Sequence, residues 1–348
     1  MTLAATFTYQ DAATLTSISP DLIIAASMDN PIFKFFPLRE RNTGKLRWTI
    51  KDSYRGLMAL RGLGGEPTRV NKVGQRLFEA LPGAYGEFET VDEVEMTNRA
   101  SGFPANMDVP VDVSDLVAES QEQLTVRLVN RMCEIAWLLA VQSTFAVPLP
   151  GGGIGHTESY VGQTIAVAPL WSDGQNSLPL KNLRDLQPNF GYGTSNNFGG
   201  TAEAWMNSRT ANFLLGNYNP QDLGRERTIA GATVNDLPGI SRISVSQNAP
   251  QIMIHDDGYL DDTGAFHLYI PDGKVMVVGK RPNGEMPGEF QMTRNANNPN
   301  FEAKPYAFVD DRTQGAMKTV PPRIDVHQGF NGGPVMERAS QIIVLTVA

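Results

Sequence analysis

Cysteine is almost missing from this sequence. Cys133 is the only one in 348 residues, so no disulfide can form within the chain and the fold needs no oxidising compartment. Histidine is nearly as scarce: His156, His255, His267 and His327 are widely scattered, and none belongs to an HExxH pattern or a Cys/His set. There is no Walker A loop, no G-x-S-x-G elbow and no G-x-G-x-x-G after a strand, so the commonest signatures of nucleotide binding and acyl transfer are missing. Carboxylate pairs leave no fixed spacing, and acid–base chemistry is therefore not excluded in the same way. No run of eighteen apolar residues could span a membrane, and the opening MTLAATFTYQ lacks the basic start and apolar run of a secretory leader. Both point to a chain made and folded in cytoplasm. Basic charge is also in deficit. With 29 Lys and Arg against 37 Asp and Glu, the formal net charge of −8 argues against a surface that wraps nucleic acid, which needs clustered cations.

What is present is an ordinary folding composition, 41% hydrophobic and 19% charged, in a chain long enough for two domains or for one with large excursions. The 33 glycines and 23 prolines are spread along it, which suggests long loops and extended arms.

The dominant stretch is 112–144, DVSDLVAESQEQLTVRLVNRMCEIAWLLAVQST, the longest helical pattern free of Gly and Pro. Leu116, Leu124, Leu128, Met132, Ile135 and Leu139 recur at helical spacing, while Glu119, Glu122, Arg127, Arg131 and Glu134 fall on wetter faces. Asp112 or Ser114 can cap its start, and Pro148 with Gly151 to Gly153 follows its end. At 1.5 Å per residue the rod is roughly 45 Å long. Its first half is polar enough to lie on a surface, whereas Cys133 to Val141 is apolar nearly all round and should be buried against a sheet.

Before the rod, residues 1–38 lead into IFKFFPL, whose Ile32, Phe33, Phe35 and Phe36 need cover, within the chain or on a neighbour, yet lie between Pro31 and Pro37. Residues 39–110 open with KLRWTI, which puts Leu46, Trp48 and Ile50 on one strand face. They continue with sparse apolar residues and many charges, the pattern of a hairpin with a long mobile tip. Such a segment is either a lid over an active site or an excursion across another subunit.

After the rod, GGGIGHTES (151–159) lacks the Gly-Lys-Ser/Thr ending of a phosphate loop and reads as a turn. TIAVAPLW (164–171) predicts a strand, SDGQNSLPLKNLRDLQPNF a loop ending in a short helix, and GTAEAWMNSRTANFLLGN (200–217) an amphipathic helix. GISRISVS predicts a short strand. Residues 251–279 predict a strand, an acidic turn with Asp256, Asp257, Asp261 and Asp262, a second strand AFHLYI, a PDGK turn and a third strand VMVVG. The acidic spacing does not match a calcium loop and reads as hydrated surface. The alternating SQIIVLTVA predicts a final strand tied into a sheet built by earlier segments. No residue is assigned a catalytic, cofactor-binding or metal-binding role, and no cofactor is expected.

This order of parts resembles the major capsid proteins of tailed bacteriophages with the Hong Kong 97 fold, and within them the lambda-like major capsid protein E family. The resemblance spans nearly the whole chain and rests on the rod, on AEAWMNSRTANFLLGN, and on IMIHDDGYLDDTGAFHLYIPDGKVMVVG, where Tyr269 to Gly273 match a recurrent turn of the family. It implies an α+β protein with an N-terminal arm (1–38), an extended β-hairpin loop (39–110) and a peripheral domain (111–219) containing a spine helix (112–144). An axial domain (220–320) and a C-terminal return to the sheet region (321–348) complete it. It further implies a non-enzymatic subunit that self-assembles into pentamers and hexamers of an icosahedral shell in the virion, put together in the host cytoplasm. That shell encloses double-stranded DNA without reading its sequence, and its implied partners are a portal, a decoration or cement protein and, since the long charged N-terminal extension of some members is missing, a separate scaffolding protein. An encapsulin-type compartment shell of the same fold is the alternative, and an enzyme with residues 39–110 as a lid is the other.

Overall fold

The computed structural model describes residues 20–51, 75–96, 113–148, 154–159, 163–174, 176–190, 202–216, 234–237, 240–243, 250–279, 286–298, 301–312, 319–338 and 341–348. The tip of the expected hairpin at 52–74, the glycine cluster at 149–153 and residues 1–19 lie outside them.

Two sheets share one helix. Strands are numbered β1 to β18 along the chain, and the first sheet is built on β17 (Arg323–Met336), a strand of 14 residues. Strand β4 (Gly83–Asp92) runs antiparallel along one of its edges, from Arg323↔Asp92 to Gly332↔Gly83. The other edge is shared by β16 (Tyr306–Asp311) and β15 (Gly288–Thr293), and β1 (Leu38–Arg41) adds in parallel to β15. Because side chains alternate, Ile324, Val326, Gln328 and Phe330 point one way and Asp325 and His327 the other. The first set meets the long helix, where Gln328 donates to the Gln121 carbonyl at 3.0 Å.

The second sheet has the order β7-β18-β14-β8-β11-β10-β9, with β7 Gln163–Ala166, β8 Glu203–Met206, β9 Val234–Leu237, β10 Ile240–Ile243, β11 Gln251–Ile254, β14 Lys274–Val278 and β18 Ile342–Thr346. Its central strands are covered on both faces, which is why VMVV and IIVL read as continuous apolar runs. Trp205, Met253, Met276, Val278, Ile342 and Val344 pack toward the long helix. Ala204, Ile252, Val275, Val277, Ile343 and Leu345 pack the other way, against Trp171, Leu183, Leu186, Phe190, Ala211 and Leu214. The strand expected near the end of the sequence is thus held inside this sheet, between β7 and β14.

The rod expected over 112–144 is the helix Val113–Gln142, followed by Ser143 in the left-handed region (φ 57°) with its N–H bonded to the Leu139 carbonyl at 2.9 Å. Its apolar half, Met132 to Val141, is buried beneath both sheets. Its first half is less exposed than the composition suggests, since Val117 and Leu124 pack on Val91, Ile324 and Val326. Ile32, Phe33, Phe35 and Phe36 find their cover within the chain, in the same core. Asn30 fixes them there: its Oδ1 accepts from Ile32 N–H and from Trp137 Nε1–H, both at 3.1 Å.

Three expectations are corrected. The stretch 200–217 is not one helix. Glu203–Met206 is a fully buried strand, Asn207 caps a new helix by accepting from Thr210 N–H at 2.8 Å, and only Ser208–Gly216 is helical. A short apolar run does not distinguish a buried strand from a helix. In 251–279 the first strand does not pair with AFHLYI. It lies parallel to Glu203–Met206, and the acidic turn belongs to a separate hairpin, β12 (Gly258–Leu260) with β13 (Phe266–Leu268). Residues 39–110 are not all excursion: β2 (Leu46–Lys51) and β3 (Gln75–Ala80) form the expected hairpin, but β4 is built into the first sheet over its whole length. The sheets also group the chain differently from boundaries at 219/220 and 320/321. Strand β8 pairs with β11 and β14, and β15 and β16 pair with β17.

Trp137 is fully buried where helix, Asn30 and second sheet meet. Trp137→Ala is expected to cost about 3–5 kcal/mol in urea unfolding, whereas Val126→Ala, at an exposed site on the same helix, should stay within about 0.5 kcal/mol.

Candidate functional site

Among the described residues the types that carry chemistry are dispersed. His255 is fully buried, stacked on Trp137 (ring centroids 5.1 Å apart) and edge-on to Trp205 (5.9 Å). Neither ring nitrogen makes a hydrogen bond, and Nδ1 lies 3.5 Å from the Asp257 carboxylate. Burial pushes its pKa down, while Asp257 and Asp256 pull the other way. It is a neutral core side chain. His267 donates from Nε2 to the Asp261 carboxylate at 2.9 Å on the β12–β13 hairpin, and His327 stacks between two phenylalanines on the first sheet. The His156 side chain lies outside the described residues. Among the described residues no three His, Cys, Asp or Glu side chains gather as a metal site. Burial pushes the Cys133 thiol up to about 12, far from a reactive thiolate.

The acidic segment has structural work. Asp256 accepts from Ser208 N–H at 2.6 Å at the start of the Ser208–Gly216 helix, where a carboxylate is favoured. Asp261 accepts from the Thr263 hydroxyl, the Thr263 and Ala265 amides and pairs with His267, and these bonds hold its carboxyl well below the usual range. Asp262 reaches Arg127 at 2.6 Å.

Arg127 lines a cleft of about 420 Å³ between the middle of the long helix, β4 and the β12–β13 hairpin. Its guanidinium bridges Glu87 on β4 and Asp262 on the hairpin, joining segments far apart in sequence. Tyr259 donates to Glu134 at 3.1 Å and Tyr269 to Asn130 at 3.4 Å. Tyr85, stacked on Phe330 at 4.9 Å, has its hydroxyl pushed up to about 12 by burial. The lining contains no Ser, Cys or His to act as nucleophile or base, and its ion pairs suit a surface latch. Exposed pairs of this kind each contribute under about 1 kcal/mol.

A different kind of site lies on the sheet face away from the helix. Phe308, His327 and Phe88 are direct cross-strand partners on β16, β17 and β4. Their rings stack in a row, Phe308 on His327 at 4.6 Å and 13°, and His327 beside Phe88 at 5.2 Å and 26°. Tyr306 extends the row at 6.0 Å from Phe308 and lies over Gly329 and Gly86, where any Cβ would strike its hydroxyl. Phe88 is 62% exposed, so this is aromatic surface, not core. Sequence reasoning missed it. Its only signal was Phe88 set between two glutamates in GEFET and the alternation of Tyr306 with Phe308 in YAFVD.

The buried histidine generates a pH prediction. Its folded pKa lies below its unfolded value of about 6.5, so its stabilising contribution is complete above that pH and is lost as pH falls through the folded pKa. His255→Phe keeps a ring in the stack and should flatten the fall in denaturation midpoint below pH 6.5; an unchanged fall would assign it to other groups.

No protein-family model matches the sequence, and no curated protein matches it. Solved structures do. A prophage protein of Escherichia coli CFT073, assigned as its capsid protein, superposes with a TM-score of 0.56 at 12% identity, covering 94% of this chain and 99% of the other. A phage-related protein of Bordetella bronchiseptica RB50 gives 0.52 at 11% identity, covering 93% and 95%. The encapsulin of Synechococcus elongatus PCC 7942 gives 0.45 at 10% identity, covering 92% and 88%, a likeness too low to bear weight. With two interlocked sheets on one long helix and end-to-end superposition on these phage proteins, the chain has the α+β architecture of the Hong Kong 97 capsid fold.

Proposed function

We propose that this protein is a shell subunit, the major capsid protein of a tailed double-stranded DNA bacteriophage. The observation that carries the reading is the superposition on the CFT073 prophage protein over 94% of this chain and 99% of that one, which leaves no large part of either for another purpose. In this reading the first sheet and the long helix form the peripheral domain and the second sheet the axial domain. Residues 1–38 are the N-terminal arm, and the β2–β3 hairpin is the base of the extended loop. The partners are other copies of the chain in pentamers and hexamers, a scaffolding protein, a portal and a decoration or cement protein. In this reading the subunit is structural and not an enzyme. Assembly takes place in the host cytoplasm, and the shell encloses DNA without binding a sequence. A formal charge of −8 suits a container whose wall should not grip its contents.

Size-exclusion chromatography with light scattering, followed by electron microscopy of the early fraction, tests this. Megadalton shells or capsomer rings are expected; a monomer unchanged by scaffold and crowding overturns it. Particles isolated from the native source should contain DNA; an enzyme cargo in its place would identify an encapsulin. A loop variant must respect the sheet. Removing 55–90 would delete β3 and most of β4, so residues 54–72 are replaced by a short Gly/Ser turn instead. This variant should keep its melting midpoint within about 2 °C and fail to close shells. Normal shells would overturn the extended-loop assignment.

A further inference from the structure

Gln291 lies on β15 opposite Gly333, and so on the face of the first sheet that carries His327, away from the long helix. Its side chain is fully buried where the β2–β3 hairpin meets the sheet. Oε1 accepts from the Arg47 N–H at 2.9 Å, and Nε2 donates to the Arg47 carbonyl at 2.6 Å. One side-chain amide thus stands in for a neighbouring strand, satisfying both backbone groups of a β2 residue. Because Arg47 turns both groups to Gln291, they leave β2 on the edge away from β3.

The amide can sit only one way round. Nε2 also donates to Glu289 Oε1 at 2.5 Å, and Arg41 Nη2 holds that same oxygen at 2.6 Å. A flipped amide would set its oxygen against the Glu289 carboxylate and the Arg47 carbonyl. The rest of the seat is apolar: Leu46, Trp48 and Ala80 are buried, and Trp48 stacks on Phe78 at 5.5 Å. Apolar burial is non-directional, so it holds the hairpin down without setting its angle. The connectors, residues 42–45 from β1 and Leu81–Pro82 into β4, both lie at one end of the hairpin and act as a hinge.

We propose that Gln291 is a positioning residue for assembly: its paired bonds to Arg47 fix the direction in which the β2–β3 hairpin leaves the subunit before any two copies meet. The inference rests on the shell reading above and adds to it a residue that sets geometry in the free chain. A direction fixed in advance spares association the entropy of ordering the hairpin. It also presents every copy at the same angle, which closed symmetry requires.

The test uses the full chain, first unassembled and then under assembly conditions. Gln291→Met keeps the length of the side chain and removes the bonds to Arg47. Hydrogen exchange in a peptide spanning 45–51 is expected to quicken at least tenfold, while a peptide spanning 324–331 on β17 stays unchanged. The yield of closed shells of uniform size should fall at least tenfold, in favour of open or mis-sized particles. Met292→Ala, one position along on the opposite face of β15, controls for stability alone; it removes core packing and should lower the melting midpoint without altering particle size.

Unchanged exchange in Gln291→Met overturns the clamp. Faster exchange with normal shells overturns its role in assembly, and mis-sized shells from Met292→Ala assign the defect to lost stability instead. Should Gln291→Met not fold, Arg47→Pro removes the same donor from the hairpin side, at an exposed residue whose N–H faces away from β3. That variant must show both changes, and normal exchange with normal shells overturns the proposal. If the unaltered chain forms no shells under any condition, the shell reading falls and the assembly role with it, while exchange still decides whether Gln291 holds the hairpin.

Discussion

The packing of one helix end between two sheets holds this molecule together. From Met132 to Val141 the helix has almost no solvent face, and each sheet buries its inner surface against it. Trp137 is the central contact, reaching Trp205 and His255 on the second sheet and the Asn30 side chain that anchors the aromatic N-terminal segment. Neither sheet closes a core alone, so the relative placement of the two depends on a few large side chains in close-packed contact. Lighter ties, such as the Arg127 bridge to Glu87 and Asp262, cross the same junction at its wet side. The design is stiff in the middle and held at the edge by exchangeable charge pairs.

Much of this was legible from the residues, for reasons that differ by element. The helix was readable because thirty residues without Gly or Pro carry one period. The final strand was readable because IIVLT has the β-branched density of a strand covered on both sides. EAWM was misread because four buried residues have no period, and what settles their state is pairing with strands 48 and 71 to 75 positions later. The true partner of QIMI was hidden for the same reason. Strand β4 looked like excursion because only Val91 of its large apolar residues is fully covered, and its place in the sheet comes from backbone pairing with β17, which leaves no mark in hydropathy.

The surface features were the least legible. An aromatic row exists only when three strands bring Phe88, His327 and Phe308 into register, and nothing in any one strand announces it. Conversely, the acidic turn was conspicuous in sequence and proved to be local architecture, a helix cap and a hairpin clasp. The interior is specified by bulk and period, whereas the exposed groups owe their neighbours to strands from elsewhere in the chain; under the proposed shell reading each contact between copies can be weak, because symmetry repeats it.

The pairing of β4 with β17 also sets a timetable. Thr90 and Asp325, which hydrogen-bond across that pair, are 235 positions apart. A ribosome adding roughly 5–20 residues per second therefore leaves β4 without its partner for about 10 to 50 seconds after it is made. Throughout that interval β4 is an open strand edge carrying Phe88. Its Glu87, Glu89 and Asp92 supply like charges that discourage edge-to-edge pairing between copies. High contact order thus makes folding slow, and the charged residues of an otherwise ordinary strand act as its guard until the last long strand arrives.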